Sequence, residues 1–281
     1  MLSYLTKWSL TRRKIFTNCA RRFGIKYFYR SHLSNKNVNG KTRQSSWDLM
    51  IKSARKVFFE RLSDLHKGIV WSEKLVESKM RFEFISNLSS NRPNNKLSNE
   101  GKNRFIFTGI KRIKRLMNQV LIRKISQGKI NEWSYHDRIK PVNIGHIEVY
   151  CSPDLVYRLD NKWHLVRINF QAELNQPYLK LELCSMLIWS KGNQYLPNLE
   201  DKFVIHGLSF RNGIWRHKII NPTQKDLQET KQLLEKDVHN MNLLQLEFQK
   251  NNDLNKLSLA KNSLYCKRCP YKNNCPKMNL S

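Results

Sequence analysis

The stretch SPDLVYRLDNKWHLVRINF, residues 152–170, alternates apolar and polar side chains on both sides of a short polar segment. An alternation with a period of two is typical of β-strands, because successive side chains of a strand point to opposite faces of the sheet. The tripeptide Asp160-Asn161-Lys162 has the composition of a tight turn. The stretch therefore predicts a β-hairpin, with strands over 154–159 and 163–170.

The sequence around this hairpin adds helices and a second hairpin. FVIHGLSFRNGIWRHKII, residues 203–220, predicts a hairpin that turns at Arg211-Asn212-Gly213. Apolar residues at helical spacing predict helices over 47–65, 109–125, 178–191 and 222–251, and residues 1–30 have a similar pattern. Helices that flank a central sheet of hairpins indicate an α/β fold.

Polar segments interrupt these elements without marking a clear domain boundary. Residues 1–46 form a basic N-terminal segment, 86–104 have the composition of an exposed polar loop, and 252–281 form a cysteine-rich tail. A chain of 281 residues is long enough for one large domain or two modest ones. We expect a single domain over 1–281.

The charge of the chain is strongly unbalanced. Lys and Arg number 51 against 22 Asp and Glu, which gives a net charge of +29. Such a charge repels itself in a compact protein, so a polyanionic partner, above all nucleic acid, is the natural explanation. An anionic membrane surface is the alternative, but no strongly basic amphipathic helix stands apart from the rest. No apolar run reaches the roughly 18 to 20 residues that span a bilayer, so we expect no membrane partner.

The N-terminal segment bears on the compartment. The first 47 residues contain eleven Lys or Arg and no Asp or Glu. This composition is typical of a mitochondrial presequence, but the whole chain is similarly basic. A cytoplasmic, nucleoid-associated location is therefore the main expectation and mitochondrial targeting the alternative. We expect no secretory signal, because Lys7 and Arg12-Arg13-Lys14 interrupt any apolar run.

Three of the six cysteines, Cys266, Cys269 and Cys275, have the spacing C-x2-C-x5-C in the tail. Without a secretory signal, clustered cysteines favour metal binding over a disulfide framework. A tetrahedral zinc site or an iron–sulfur cube needs four ligands, and the spacing alone accepts either. The isolated Cys151 and Cys184 lie in apolar surroundings and are expected to be small core residues.

Two cysteine motifs together resemble the iron–sulfur nucleases of the RecB type, within the PD-(D/E)XK superfamily. The motif C-x-R-R-F-x-x-x-Y begins at Cys19, and C-x-x-C-P-Y-x-x-x-C-P begins at Cys266. The AddB nuclease domain, the CRISPR adaptation nucleases and the exonuclease V family have similar motifs. The resemblance implies a restriction-endonuclease-like mixed sheet flanked by helices. It also implies a [4Fe–4S] cluster that joins the N- and C-terminal segments through Cys19, Cys266, Cys269 and Cys275, with zinc as the alternative metal.

The resemblance also implies an active site on the hairpin. Family members present an Asp on the first strand, and an acid followed two residues later by Lys on the second, to bind Mg²⁺ or Mn²⁺ and position water. Asp154 matches the first position, but Arg167 stands at the acid position and Asn169 at the Lys position. A guanidinium in place of a carboxylate puts a cation where the metal would bind, so we expect impaired catalysis. Glu173 is the candidate for a migrated acid.

The expected function is nucleic-acid binding by a nuclease fold, in DNA repair, recombination or replication. The expected partner is DNA, as a single strand or an end, together with a helicase or repair complex. One alternative is an active, Mg- or Mn-dependent single-stranded DNA exonuclease with a rearranged site. Another is a zinc-stabilised nucleic-acid-binding factor. The residues predicted to contact nucleic acid are Arg21, Arg22, Lys26, Lys52, Arg167, which suits phosphate oxygens, and Glu182, at a position where the family contacts DNA.

Overall fold

The computed structural model describes residues 6–29, 44–91, 97–136, 140–171, 176–267, 269–271 and 275. They divide into two compact units. The larger unit consists of residues 44–140 and 152–227, and the smaller one takes its described residues from 1–43, 141–151 and 228–281. The sequence does not reveal this division, because three separate segments make up the smaller unit. Within the described residues, no helix combines the length and the apolar character needed to cross a membrane.

The strands and helices of the described residues have the following bounds, each type numbered in chain order. The strands are β1 (Thr6–Trp8), β2 (Trp133–Tyr135), β3 (Val142–Ile144), β4 (Ile147–Val149), β5 (Leu155–Leu159), β6 (Lys162–Asn169), β7 (Phe203–Arg211) and β8 (Ile214–Ile220). The α-helices are α1 (Leu10–Asn18), α2 (Ala20–Gly24), α3 (Ser46–His66), α4 (Glu73–Asn91), α5 (Asn99–Met117), α6 (Val120–Ser126), α7 (Gln176–Lys191), α8 (Gln224–Asn251) and α9 (Ser263–Lys267). A π-helical turn, Ile25–Tyr29, follows α2.

The larger unit contains a mixed sheet with the strand order β2-β5-β6-β7-β8. β5 and β6 form an antiparallel hairpin that turns through Asp160 and Asn161, and β7 and β8 form another that turns through Asn212 and Gly213. All four turn residues have a positive φ, as tight hairpin turns require. Both hairpins predicted from the sequence are confirmed. β6 and β7 are parallel, and α7 provides the crossover that parallel strands need.

Different helices cover the two faces of this sheet. One face, which includes Leu155, Val166 and Leu208, packs in a core with apolar residues of α3, α4, α5 and α6. The other face takes α7, whose Leu179 and Leu183 lie against Gly207 of β7. Side chains alternate along a strand, so the residues next to those of the first face point towards α7. The hairpin residues predicted at the site lie on this α7 side.

Two predicted elements differ from the structure. The stretch 86–104, predicted as an exposed loop, is helical at both ends, because α4 continues to Asn91 and α5 begins at Asn99. The Ser98 side chain starts α5 by accepting a hydrogen bond from the Gly101 backbone, which is a common N-cap interaction. The single helix predicted over 109–125 is two helices, since α5 ends at Met117 and α6 begins at Val120. The apolar pattern continues across this break and therefore conceals it.

The smaller unit joins the N-terminal and C-terminal segments around a separate sheet and core. β4 pairs in parallel with β1 and antiparallel with β3. Phe23 and Phe28 pack with Met241, Phe248 and Leu257. Of residues 1–30, predicted as helical, Leu10–Asn18, Ala20–Gly24 and Ile25–Tyr29 are helical, whereas β1 is a strand because it pairs with β4. Residues 1–5 and 30 lie outside the described residues. Each unit thus has a mixed sheet with helices, and the predicted α/β class is confirmed.

Candidate functional site

Asp154, just before β5, is almost completely buried, with 1% of its surface exposed. Its Oδ1 accepts a hydrogen bond from Arg55 Nη2 at 2.7 Å. Its Oδ2 accepts one from the Ile168 backbone N–H at 2.6 Å and one from Arg167 Nη1 at 3.3 Å. Both carboxylate oxygens are therefore in use, and a divalent ion at Asp154 would have to displace a guanidinium group.

Arg167 and Asn169 extend this network from β6 to α7. Arg167 Nη2 donates to the Ser152 carbonyl oxygen at 2.9 Å, and Nε lies 3.2 Å from Glu182 Oε1 in an ion pair. Asn169 Nδ2 donates to Glu182 Oε2 at 3.5 Å. The structure thus brings together Asp154, Arg167, Asn169 and Glu182. Arg167 is only 5% exposed, so it has little surface left for a phosphate group.

The electrostatics of this network favour the ion pairs that are present. Burial raises the pKa of Asp154, but the charges of Arg167 and Arg55 and the Ile168 N–H lower it more strongly, so the net pKa lies below its usual value. Two carboxylates, Asp154 and Glu182, face two guanidinium groups. A magnesium site instead needs anionic oxygens that are free to coordinate the ion. The network therefore supports a structural role at the end of the hairpin better than metal-dependent catalysis.

A groove of about 460 Å³ adjoins this network on α3, and we call it the α3 groove. Its lining residues are Lys52, Arg55, Lys56, Phe59, Glu60, Ser63 and Tyr135. Arg55 connects the groove to Asp154, and its guanidinium lies 4.6 Å from the centre of the Phe59 ring. Lys56 forms ion pairs with Glu83 at 2.5 Å and with Glu60 at 3.6 Å. Lys52 is exposed, and no ion pair within the described residues involves it.

Aromatic rings continue from the α3 groove along the edge strand β2. The ring centres of Phe59 and Tyr135 are 6.3 Å apart, and those of Tyr135 and Trp133 are 6.4 Å apart. His66, at the end of α3, lies 4.9 Å from Trp133. Tyr135 and Trp133 pack against the core and are half-buried, so each residue keeps part of its surface exposed. A row of rings beside exposed cations is an arrangement that suits stacked bases and phosphates.

Three histidines form a chain across β6, β7 and β8. His206 is 4% exposed, and its Nε2 lies 2.8 Å from His164 Nδ1, while its Nδ1 lies 2.9 Å from His217 Nε2. Burial, followed by repulsion from the other two rings, lowers the pKa of His206 to about 3. His164 and His217 approach opposite nitrogens of His206, so the three cannot bind one ion together. Indeed, within the described residues no three His, Cys, Asp or Glu side chains are placed to hold a metal ion.

The four cysteines predicted as ligands are partly exposed free thiols in the smaller unit. Burial raises the pKa of the Cys269 thiol, and Cys19 and Cys275 raise it further. The charge of Arg22 acts in the opposite direction. No three of these described cysteines are placed to hold a metal ion. The Cys269 backbone N–H donates to the Cys266 carbonyl oxygen at 3.1 Å, which forms a turn between these two cysteines. The donor set suits a thiophilic metal, and the four-cysteine centre stays a prediction.

The predicted contact residues of the N-terminal segment have different environments. Arg21 is buried and donates from Nε to the Leu257 carbonyl oxygen at 3.1 Å and from Nη2 to that of Asn255 at 2.6 Å. It therefore joins the N-terminal to the C-terminal segment. The Lys26 ammonium lies 5.1 Å from the centre of the Tyr27 ring and is half-buried. Phe23 and Phe28 are core residues, so they are not available for stacking on bases.

Some residues were not found by sequence reasoning, and one prediction falls outside the described residues. Glu173, the candidate for a migrated acid, lies between 171 and 176 and is not described. Arg55 was missed because its role depends on Asp154, which is 99 residues away in the sequence. Its position three residues after Lys52 on α3 is the signal that was available. Cys151 and Cys184 are buried, as predicted.

Comparison with known proteins adds little to this description. No family model matches the chain, and no curated protein sequence matches it. A solved structure described as "Crystal structure of SSO0001" is similar at 14% identity, over 81% of this chain and 95% of that chain, with a TM-score of 0.32. Similarity at this level supports no conclusion about fold or function, so the proposals below depend on the residues themselves.

Proposed function

We propose that this chain binds nucleic acid, as a single strand or a DNA end, through the α3 groove, and that it does so without cutting it. The observation that carries the absence of cutting is the hydrogen bonding of Asp154. Both of its carboxylate oxygens are bound, by Arg55, Arg167 and the Ile168 N–H. In a nuclease of the PD-(D/E)XK type this carboxylate would hold a divalent ion. The fold we propose is therefore a RecB-type nuclease core that keeps a binding groove and has lost its metal site.

The α3 groove has the chemistry that a single strand needs. Lys52 and Arg55 supply positive charge for phosphate groups, and Arg55 is the more accessible of the two arginines on Asp154, with 31% of its side chain exposed. We assign the phosphate contact predicted for Arg167 to these two residues. Tyr135 and Trp133 offer rings for stacking, which contributes about 1–3 kcal/mol per base and tolerates any sequence. The net charge of +29 adds a general attraction for polyanions.

The cysteine centre belongs to the same proposal as a structural element. Cys19, Cys266, Cys269 and Cys275 would hold a [4Fe–4S] cluster, with zinc as the alternative. Either metal would join segments that are more than 240 residues apart in the sequence. Closing such a long loop restricts the unfolded chain and therefore stabilises the fold. A role in DNA repair, recombination or replication, with a helicase or repair complex as partner, fits a protein that binds strands without cleaving them.

Fluorescence anisotropy with a labelled single strand of roughly 20 nucleotides tests the groove. Lys52→Glu and Tyr135→Ala should each weaken binding by about five- to tenfold or more, since they remove a phosphate contact and a stacking surface. Lys162→Glu makes the same charge change at the exposed β5–β6 turn and serves as the matched control. Equal weakening by Lys52→Glu and Lys162→Glu would mean that the binding is diffuse and the groove is wrong.

A nuclease assay distinguishes the proposal from an active exonuclease. The purified protein is incubated with end-labelled single-stranded DNA and Mg²⁺ or Mn²⁺. We expect the strand to stay intact, because both oxygens of Asp154 are occupied. Degradation that disappears in the Asp154→Ala variant would contradict the proposal and support a rearranged active site.

A further inference from the structure

The outer surface of α4 and α5 contains a second groove of about 810 Å³, which we call the α4–α5 groove. Its lining residues are Lys74, Glu77, Ser78, Arg81, Phe82, Ile85, Ser86 and Ile110. Phe82 is 67% exposed, and Phe107, one turn before Ile110 on α5, is 66% exposed. Phe82 and Ile85 line the groove together, and contiguous exposed apolar side chains of this size mark interaction sites. The core does not use them, since it takes the opposite face of α4, with Val76, Met80 and Phe84.

The two helices form a well-held pair. Arg81 Nη1 donates to Asn103 Oδ1 at 3.1 Å. Lys114 Nζ of α5 lies 2.8 Å from Glu73 Oε2 and 3.0 Å from Glu77 Oε1 of α4. Gly109 allows close approach, because a Cβ at this position would collide with Met80. The groove is therefore already formed on a supported surface, as a docking site requires.

The spacing of three groove residues on α4, together with Leu75 beside Lys74, fits a helical ligand. Leu75, Ser78, Phe82 and Ile85 follow one another at intervals of three, four and three residues. This is the a/d spacing by which one helix packs against another in a coiled coil. Leu75 is 38% exposed and Ile85 36% exposed, so three of the four positions present apolar surface. An incoming helix would pack beside α4 and α5 as a third helix.

The charge around the groove selects the kind of helix. Lys74 and Arg81 precede Leu75 and Phe82 and are seven residues apart, which places them at g positions of the same heptad pattern. Arg104 and Lys111 lie on α5 and are also seven residues apart. All four cations are exposed, and no ion pair within the described residues involves them. The acids Glu73 and Glu77 are engaged by Lys114.

We propose that the α4–α5 groove binds an acidic amphipathic helix of a partner protein. Apolar a/d side chains of the partner would pack on Phe82, Ile85 and Phe107, and its carboxylates would face Lys74 and Arg81. A second copy of this chain is the wrong partner, because the cations would oppose one another and each copy has a net charge of +29. The inference depends on α4 and α5 alone and stands without the proposed nucleic-acid function.

Three synthetic peptides of three heptads test the groove by fluorescence anisotropy. The first has Leu at a and d and Glu at e and g, the second has Lys instead of Glu, and the third is a scrambled sequence of the acidic one. We expect the acidic amphipathic peptide to bind at least about tenfold more tightly than the scrambled peptide. Of these two acidic peptides, only the amphipathic one presents an apolar stripe. Equal binding of both acidic peptides would reduce the interaction to general electrostatics and overturn the proposal.

Variants locate the binding. Phe82→Ser should weaken the binding of the acidic peptide by about tenfold or more. Val120→Ser, at a residue that is 60% exposed on α6, should leave this affinity unchanged. Replacing both Lys74 and Arg81 by Glu should move the preference towards the lysine peptide. Far-UV circular dichroism checks that each variant keeps its helices.

Two further measurements separate the competing occupants. Light scattering gives the oligomeric state, and a wild-type dimer that Phe82→Ser converts to a monomer would assign the groove to a second copy and overturn the proposal. Competition with unlabelled single-stranded DNA follows. If the Lys52→Glu variant, which has an altered α3 groove, binds the peptide normally, the two sites are separate. Displacement of the peptide by DNA in that variant would identify the α4–α5 groove as a nucleic-acid site instead.

Discussion

Arg167 lies between two carboxylates, with Asp154 on one side and Glu182 on the other. Its side chain is 6% exposed, so these charges have left water almost completely. Buried ions are stabilised only when each has its partners, and a single deletion leaves an uncompensated charge. Arg167 therefore commits the surrounding residues to this pairing, and any single substitution that removes one of these charges must overcome it.

The Arg167→Leu variant tests this commitment. It should lower the free energy of unfolding by about 3–5 kcal/mol, because Asp154 and Glu182 would stay buried without their common partner. Combining it with Asp154→Asn and Glu182→Gln should recover part of the loss, since the uncompensated charges are removed. Urea denaturation measures both. Arg158→Leu, which breaks an exposed pair with Glu132, should cost less than about 1 kcal/mol, and a similar cost for Arg167→Leu would contradict the expected burial effect.

The histidine chain makes stability depend on pH. Because the pKa of His206 is lowered to about 3 from an ordinary value near 6.5, the unfolded chain takes up a proton between these values and the folded chain does not. Stability is therefore complete above about pH 6.5 and should decrease as the pH falls towards 3, by up to about 1.4 kcal/mol per pH unit. His206→Gln should flatten the profile of urea midpoints, and the exposed His146→Gln should leave it unchanged. Superimposable profiles for His206→Gln and wild type would exclude this role.

At the level of elements, the turns of the two hairpins set the register of the strands that they connect. Asn212 has a φ of 50° and Gly213 a φ of 84°, a left-handed pair that suits the twist of β7 and β8. The Gly213 carbonyl oxygen also accepts a hydrogen bond from Arg115 of α5. One short turn thus sets the register of two strands and connects them to a helix of the core.

Gly213→Ala tests the turn. A Cβ is disfavoured at a φ of 84°, so the variant should lose about 1 kcal/mol of unfolding free energy. Asn212→Gly, one residue earlier, should change the urea midpoint little, because glycine adopts the same φ without strain. A loss in Asn212→Gly equal to that in Gly213→Ala would show that the side chain of Asn212, rather than the backbone conformation, holds the turn.

Elements with a local signal were predictable, and those that depend on distant partners were not. The β5–β6 and β7–β8 hairpins follow from alternation and turn residues, and the β5–β6 register brings Asp154 beside Arg167. The helical ends of 86–104 were missed because exposed helix faces have the same polar composition as loops. The sequence places Arg55 one turn after Lys52 on α3, but its contact with Asp154 depends on tertiary packing, which no local pattern indicates.

At the scale of the whole molecule, the N-terminal and C-terminal segments share one unit. Trp8 Nε1 donates to Asp237 Oδ2 at 3.0 Å, Arg13 pairs with the same carboxylate, and Phe28 stacks on Phe248 with ring centres 5.7 Å apart. These contacts join residues that are more than 200 positions apart. The proposed metal centre would add a covalent connection to the same junction.

Metal analysis after anaerobic purification tests that centre. We expect about four iron atoms per chain and an absorbance near roughly 400 nm, both lost in Cys19→Ser and Cys269→Ser. Cys184→Ala, at a buried cysteine of the larger unit, should retain the metal and serves as the control. A colourless protein with one zinc ion would support the alternative metal, and the absence of both metals from wild-type protein would contradict the centre.

The contacts of Arg21 with Asn255, Leu257 and Ser258 have a consequence for biosynthesis. The ribosome makes residues 6–29 before the larger unit, yet their packing partners beyond residue 228 emerge only after it. The larger unit can begin to fold before these partners emerge. Until then, Phe23 and Phe28 stay exposed to solvent or bound to a chaperone. A chain truncated after residue 227 would therefore leave the apolar side chains of residues 6–29 exposed. We expect quality-control proteases to degrade such a product.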